Sequence, residues 1–552
     1  MKALICSLNT KYVHSSLAPW CLKAGVEKYS NGAECEVFES TINESEEKII
    51  SEISRREFDI IGFCTYIWNA QMVLSICEKI KLIKNAKIVL GGPEVSYNAY
   101  EILNKNSFID YVISGEGEKP FGELCGDKAI ETIEGLCYRD GEKIVVKSPY
   151  TAEEAPPSPY SREYFEKLSG RIAYLETSRG CPYRCAFCLS GRCGTVRFFD
   201  LEEAKKNIID LANSGAKTIK FIDRTFNADK DRARKIFKYI IDSYGKSIPS
   251  DVCFHFEIEG DILDEQTIQI LSSARPGAIQ MEIGLQSFNK DTLSAINRKS
   301  DTNRLVENIK KLIALDNIHI HIDLIAGLPY ETLDSFENSF NRALALKPHM
   351  LQFGFLKMLH GSDLRAQANE FFCEYDKNPP YEIKSTLWLS NEELTLMHIV
   401  EDFFDRFYNS GRFPRTADYL HKSVESPFKL YTELGAFVKN NEQERSLDAF
   451  SKLVYDYLIS LKFLDKDKIR DCMAIDRLST NKGGFLPEFL KIHSPKLKEI
   501  LNTLEEAPNI KKKKGIKRAI TLLKSENAFV YVDYDIKNPI TKQYLVTKSN
   551  LP

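Results

Sequence analysis

Short apolar runs and longer stretches of helical period alternate along the first ~125 residues. "KALICSL", "CEVFES", "FDIIGFCTY", "KIVLGGP" and "YVISGEG" have the length and β-branched content of buried strands, and segments such as "AQMVLSICEKIKLI" repeat their apolar positions every three to four residues. This rhythm predicts a doubly wound parallel sheet with helices on both faces. Ligands of such sheets sit beyond the carboxyl ends of the strands, here the loops "NTKYVHSS", "TYIWNA", "GGPEVS" and "GEGEKP". "LCYRDGEKIVV" predicts a hairpin around Asp140 and Gly141, and the proline-rich "SPYTAEEAPPSPY" reads as a linker.

A second alternation starts near Ile172. "IAYLETS", "TIKFIDR", "VCFHFEI", "IQMEIGL", "HIHIDLI" and "LQFGFLK" are strand candidates separated by helical stretches such as "LEEAKKNIIDLANSG" and "TNRLVENIKKLIAL". Six βα units predict a (βα)6 partial TIM barrel with its chemistry at the carboxyl ends of the strands. After about residue 365 the pattern turns mainly helical, as in "NEELTLMHIVEDFFDRF" and "SLDAFSKLVYDYLISLKFL". The expected class is therefore α/β with three domains and a linker: a doubly wound domain at 1–148, the linker at 149–165, a partial barrel at 166–365 and a mainly helical domain at 366–552.

Bulk composition narrows the setting. The 552 residues are 43% hydrophobic and 28% charged, as in ordinary globular proteins, and exceed what one core can hold. A formal net charge of -3 gives no general pull toward nucleic acid or anionic membrane, and no apolar run approaches the ~20 residues of a membrane span. The amino terminus reads as a strand rather than a signal peptide. Fourteen cysteines are too dilute for a disulfide scaffold, and Cys6, Cys64 and Cys77 sit in apolar runs, so a reducing cytoplasm is expected. The run "KKKKGIKR" at 511–518 could meet RNA phosphates, but no aromatic platform interleaves with it; a solvated surface is the expected reading, with no direct nucleic-acid partner.

The segment that changes the picture is "SRGCPYRCAFC", Ser178 to Cys188, directly after the first barrel strand. Three thiolates, from Cys181, Cys185 and Cys188, can bind a [4Fe–4S] cluster that keeps one iron open to a small molecule. Structural zinc with Cys193 as fourth ligand, or unmetallated core thiols, are the alternatives that the triplet alone leaves open.

The C-x3-C-x2-C spacing, with an aromatic at Phe187, resembles the signature of the radical S-adenosylmethionine (SAM) enzymes, and the resemblance covers about residues 170–360. It implies that the open iron binds the amino and carboxylate groups of SAM, that one electron cleaves the sulfonium, and that the resulting 5′-deoxyadenosyl radical abstracts hydrogen from the substrate. It implies SAM contacts at the strand ends: Glu257, Glu282, Gln286, Arg298 and Asp323, with Gly327 in the same loop as Asp323. Carboxylates suit ribose hydroxyls and the ammonium, and an Arg suits the carboxylate. Asp223 is the candidate catalytic residue at the substrate.

The amino-terminal part resembles the cobalamin-binding domain fused to many radical SAM enzymes, on "YIWNAQ", "GGPEVS" and "DYVISGEGEKPFGEL". Gly91 and Gly92 would let a backbone approach a macrocycle or nucleotide tail closely. The D-x-H-x-x-G motif that supplies a histidine to cobalt is missing, and His14 is the one histidine on a ligand-side loop. The resemblance implies cobalamin as a third cofactor beside the cluster and SAM; the alternative is a retained fold that only shapes the substrate cavity. Taken end to end, including "SLNTKYVHSSLAPW" and the helical tail, the chain resembles clostridial-type queuine lyases, which implies C–N cleavage of queuine to 7-aminomethyl-7-deazaguanine for queuosine salvage in tRNA. The alternative is a cobalamin-dependent radical SAM methyltransferase. Either reaction needs a small-molecule substrate and an external electron donor such as a flavodoxin or ferredoxin.

Overall fold

Five parallel strands open the chain: β1 (Lys2–Asn9), β2 (Glu34–Thr41), β3 (Ile60–Cys64), β4 (Lys87–Gly91) and β5 (Tyr111–Ile113). The computed structural model describes residues 1–497, 499–500 and 519–551. The expected hairpin forms as β6 (Leu136–Asp140) and β7 (Lys143–Val145), with Gly141 at φ 59° in the turn, where the missing Cβ removes the left-handed penalty. It pairs antiparallel with β5 and extends the sheet to seven strands, in the order β2-β1-β3-β4-β5-β6-β7. Helices 18–29, 46–54, 70–83, 99–105 and 118–125 connect the strands. Two cores result: one packs Leu4, Cys6, Phe63 and Leu90 with Val73 and Ile76, the other Ile5, Val89 and Ile113 with Val26 and Phe121. A core on each face is what makes the central strands apolar along their whole length.

The chain divides into two compact units. The first holds Met1–Glu282, Asp291–Asn308 and Phe355–Leu387; the second holds Ile283–Lys290, Ile309–Gly354 and Trp388–Pro552. After β7 come β8 (Ile172–Leu175), the short ribbon β9 (Ser178–Arg179) and β10 (Arg197–Phe198), then β11 (Thr218–Phe221), β12 (Cys253–Ile258), β13 (Ile279–Gln286), β14 (Ile318–Ala326) and β15 (Met350–Phe355). In the first unit β8, β11, β12 and the leading half of β13 follow in that order; in the second, the trailing half of β13 is followed by β14 and β15. The six barrel strands expected from the sequence are all present.

Burial along β8, β11 and β12 alternates strictly, so that Ala173, Leu175, Ile219, Phe221, Phe254 and Phe256 pack under the helices while Tyr174, Lys220, His255 and Glu257 face the opposite side. A two-residue period makes this unavoidable: one face must be apolar, and the other is left for polar side chains. Asp200, Asp229 and Asp264 cap the helices at 201–212, 230–243 and 265–271, each accepting a backbone N–H three residues on, which fixes where each βα loop ends.

In the second unit, helices 391–404, 414–423, 427–441, 447–460 and 466–480 bear out the helical expectation, around an aromatic core of Phe340, Phe403, Phe404, Phe407 and Tyr431. The short antiparallel pair β16 (Glu374–Tyr375) and β17 (Ile383–Ser385) lies in the first unit. The carboxyl-terminal region also holds a sheet that the helical pattern hid: β18 (Ile520–Leu522), β19 (Ala528–Lys537) and β20 (Tyr544–Asn550). "AFVYVDYDIK" is rich in β-branched and aromatic residues, and pairing with β20 satisfies a backbone that no helix could. Arg470, buried in helix 466–480, donates to the carbonyls of Leu490 (2.8 Å) and Leu522 (2.7 Å) and so ties helix to sheet. Among the described residues no helix is long and apolar enough to cross a membrane. The basic run at 511–518 lies outside the described residues.

Candidate active site and cofactor loops

The chain leaves β8 through Glu176, Thr177 and Ser178 and enters the cysteine loop. Asp223, just past β11, holds this departure. It accepts from the Thr177 amide (3.1 Å), the Thr177 hydroxyl (2.8 Å) and the Ser178 hydroxyl. The carboxyl is 1% exposed, and burial raises its pKa to about 6 against those three donors. The sequence placed Asp223 at the substrate. The structure instead commits both its oxygens to the backbone and hydroxyls ahead of the cysteines, a short-range arrangement that spacing does not reveal.

The three cysteines follow. Cys185 is buried, and Cys181 and Cys188 are half-buried. Burial pushes the Cys185 thiol up, the neighbouring Arg298 pulls it down, and Cys188 and Cys181 lie close enough to raise it again. Each sulfur meets a polar neighbour: Arg298 Nη1 at 3.7 Å from Cys185, the Ser190 amide at 3.4 Å from Cys188, and the Thr225 hydroxyl at 3.3 Å from Cys181. Unbridged thiols near enough to influence one another, two of them facing N–H donors, suit thiolates that carry negative charge onto a metal. The triplet therefore fits a three-thiolate iron–sulfur cluster. The Cys193 side chain is outside the described atoms. Phe187, between the second and third cysteines, is half-buried.

Arg298, expected at the SAM carboxylate, is 9% exposed and lies within reach of both the triplet and Glu259: Nη2 donates to Glu259 Oε2 at 2.7 Å. Glu259 escaped the sequence reading, which chose Glu257 from the same "FHFEIEGD". The available signal was position, since Glu259 lies just beyond the end of β12 whereas Glu257 lies within it. Burial raises the Glu259 pKa to about 7, with Arg298 opposing. The sign of the consequence follows. The folded chain holds this proton more tightly than the unfolded chain, whose value is near 4.5, so the linked stability is complete below pH 4.5 and is lost as pH rises through 7. Wild-type protein is expected to lose on the order of 3 kcal/mol from this group between pH 4 and 8. Glu259→Gln should flatten that portion, read as a smaller fall in melting temperature over the same range.

Glu257 and Glu282, the other two acids that the sequence reading placed at SAM in this unit, stand on the polar face of β12 and β13. Lys220 bridges them, 3.3 Å from Glu257 and 3.2 Å from Glu282, and His255 Nε2 lies 2.8 Å from Glu282. Burial would lower the Lys220 pKa, but the two carboxylates override it and the net shift is upward. Glu257 and Glu282 come together as members of an ion cluster with Lys220 and His255. Gln286 and Asp323 belong to the second unit. Gln286 adopts a left-handed φ of 68°, and Asp323 Oδ1 lies 2.9 Å from His321 Nε2.

On the amino-terminal sheet, the loops at the carboxyl edge carry the features a large flat cofactor needs. Trp68 is 45% exposed and stacks on Tyr66, with ring centroids 4.5 Å apart and 5° between planes. A Cβ at Gly91 would meet nothing closer than 3.9 Å, so its backbone can be approached. Gly92, at φ 112°, is a glycine for another reason: a Cβ there would overlap the Thr65 carbonyl. His14 Nδ1 is 2.7 Å from the Tyr174 hydroxyl, in a loop that Ile172 draws against β8 through backbone bonds to Val13 and Ser15. This edge fits cobalamin held by an aromatic face and an open glycine.

The fold and the thiol triplet together define a radical SAM enzyme with an amino-terminal B12 binding domain. Residues 175–343 match the Radical SAM superfamily, residues 5–125 the B12 binding domain, and residues 369–549 the family described as Protein of unknown function (DUF4080). The chain is 26% identical over 369 residues to a 2-(S-pantetheinyl)-carbapenam-3-carboxylate methyltransferase of Streptantibioticus cattleyicolor, covering 59% of this chain and 52% of that one. It is 27% identical over 323 residues to the cobalamin-dependent radical SAM methyltransferase TokK of Streptomyces tokunonensis, covering 53% and 46%. It therefore spans about half the length of the curated relatives it matches. Among solved structures, the cobalamin-dependent SAM radical enzyme OxsB with aqua-cobalamin and SAM bound shares the fold at a TM-score of 0.61, 14% identity, and coverage of 94% of this chain and 82% of that one. The cofactors of this architecture are a [4Fe–4S] cluster, SAM and cobalamin.

Proposed function

We propose that the protein is a cobalamin-dependent radical SAM methyltransferase acting on a small molecule. The observation that carries this reading is the B12 binding domain at residues 5–125 ahead of the radical SAM domain, in a chain similar to two proteins named as methyltransferases, one of them as cobalamin-dependent and radical SAM. When bound, the cluster supplies an electron to SAM and cobalamin supplies a transferable methyl group. Cys181, Cys185 and Cys188 hold the cluster, and the Arg298 guanidinium, the Ser190 amide and the Thr225 hydroxyl stabilise charge on their sulfurs. Arg298 and Glu259 orient the SAM amino-acid end, and Phe187 packs beside it. Glu257 and Glu282 supply acceptors for SAM hydroxyls or substrate donors. Asp223 keeps the cysteine loop in register. Trp68 and Gly91 form the cobalamin face.

The queuine lyase reading of the sequence draws no support from these relatives, and the methyltransferase takes its place. One experiment separates them. Anaerobically reconstituted enzyme is incubated with methyl-deuterated SAM, reductant, cobalamin and a metabolite panel that includes queuine. The expected result is a product heavier by a labelled methyl group, and turnover that rises with added cobalamin. Queuine cleaved to 7-aminomethyl-7-deazaguanine, with no label transferred and no cobalamin dependence, would overturn the proposal.

A further inference from the structure

The cysteine loop is bracketed by a ribbon. β9 leads into Cys181, β10 leads out past Val196, and the two pair antiparallel with Arg179 opposite Arg197. Both guanidinium groups reach the same carboxylate. Arg179 Nη1 donates to Glu116 Oε2 at 2.9 Å, and Arg197 Nη2 donates to Glu116 Oε1. Glu116 belongs to the loop after β5, on the ligand edge of the B12 binding domain. A single side chain of one domain thus holds the inbound and outbound strands of the loop that carries all three candidate cluster ligands.

The surroundings make this staple stiff. Arg179 is also bound by Glu176 at 2.7 and 2.8 Å and by Glu118 at 2.9 Å. Glu116 is 8% exposed at its side chain, Glu118 10% and Arg179 17%, so water screens these pairs weakly. The Glu116 amide donates to the Tyr150 carbonyl at 2.9 Å, and Gly115 at φ 89° packs so closely on Tyr150 that any side chain would overlap it. Glu118 opens helix 118–125, whose backbone touches Gly25 of helix 18–29 with no room for a Cβ. The carboxylates therefore cannot follow the arginines if the cysteine loop shifts. Gly180, between Arg179 and Cys181, sits at φ 102°, and Asp223 grips Thr177 and Ser178 from the other side. The inbound strand is anchored residue by residue up to the first thiol.

We propose that Glu116 is a positioning residue for the iron–sulfur loop: by clasping Arg179 and Arg197 together it sets the geometry in which Cys181, Cys185 and Cys188 converge. The proposal rests on the reading of those cysteines as cluster ligands. Glu116 never touches the cluster; it acts through the two arginines. Its bridging role differs from that of Glu118, which binds Arg179 alone among the two.

The test uses full-length protein reconstituted anaerobically with ferrous iron and sulfide. Two readouts are taken: the rate at which a ferrous chelator strips the iron, and the electron paramagnetic resonance spectrum of the reduced cluster with and without SAM. Glu116→Gln is expected to release iron about tenfold faster and to broaden or shift the signal, since two buried charges lose their shared partner. Arg197→Gln, which opens only the outbound arm, should reproduce both changes and serves if Glu116→Gln does not fold, which the melting temperature of the metal-free proteins decides. Glu118→Gln should change both readouts less. Iron release at the wild-type rate with an unaltered spectrum in Glu116→Gln or Arg197→Gln overturns the staple. So does an equal effect from Glu118→Gln, because pairing to Arg179 alone would then suffice. Wild-type protein that takes up no iron overturns the cluster reading instead, and with it the purpose of the staple.

Discussion

Cys185→Ala is expected to abolish both the iron–sulfur absorbance and reductive SAM cleavage, and Cys181→Ala and Cys188→Ala should do the same. A cluster held by three thiolates cannot lose one and keep its open iron ordered for SAM. Of the three, Cys185→Ala should also lower the melting temperature most. Cys185 is the buried member, and its removal leaves the Arg298 guanidinium facing a void where a charged sulfur would stand. Neighbouring groups give no substitute: the Ser190 amide is a donor with no lone pair for iron, and the Thr225 hydroxyl is tied to the Arg224 carbonyl. Cys193→Ala should leave iron content and SAM cleavage largely intact. Anaerobic iron and sulfide analysis with absorbance spectra reads all four variants. Complete loss of metal in Cys193→Ala would replace the three-thiolate site by four-cysteine ligation of the zinc kind.

Arg298→Ala is the second large effect, and its two components can be separated. The guanidinium is buried against Glu259, so its loss strands a carboxylate that must then be neutral to stay buried. Glu259 already titrates near 7 and loss of Arg298 raises it further, so at pH 6 the proton is held with little further cost, while at pH 8 holding it costs more. The variant should therefore be destabilised more at pH 8 than at pH 6, by up to about 3–5 kcal/mol. Adding Glu259→Gln should return much of that stability. It should not return SAM affinity, which is expected to fall by roughly 1.5–3 kcal/mol for the lost charge-assisted hydrogen bond. Thermal melts at two pH values and equilibrium SAM binding decide the matter. Wild-type SAM affinity in Arg298→Ala would remove this arginine from the cofactor site. Recovery of affinity together with stability would reduce it to a structural residue.

These effects show what a linear chain discloses. The strands of both sheets were legible because each must be apolar on one face or both, and "IAYLETS" or "KIVLGGP" can satisfy that in only one way. The cysteine triplet was legible because its ligands are local and their spacing is itself the chemistry. What stayed hidden depends on partners far apart in sequence. Asp223 looked like a substrate residue, since its obligations to Thr177 and Ser178, forty-five and more positions away, leave no periodic trace. Glu257 and Glu282 were found, but Lys220 between them was passed over as one more strand residue. Glu116 was quoted in "GEGEKP" without a role, because the two arginines that give it one lie 63 and 81 residues further on. The carboxyl-terminal sheet was missed because the long amphipathic helices before it dominate the pattern.

The ion pairs at Glu116 and Glu118 bear on how this architecture can be rearranged. A barrel freed of its amino-terminal partner would leave Arg179 with Glu176 as its acid and Arg197 with none of those described here, on the strands that flank its cysteines. A B12 binding domain borrowed from another protein would have to bring acids at the same two loop positions before it could be joined to this barrel. A swap of either half therefore has to bring two side chains that match the two left across the seam.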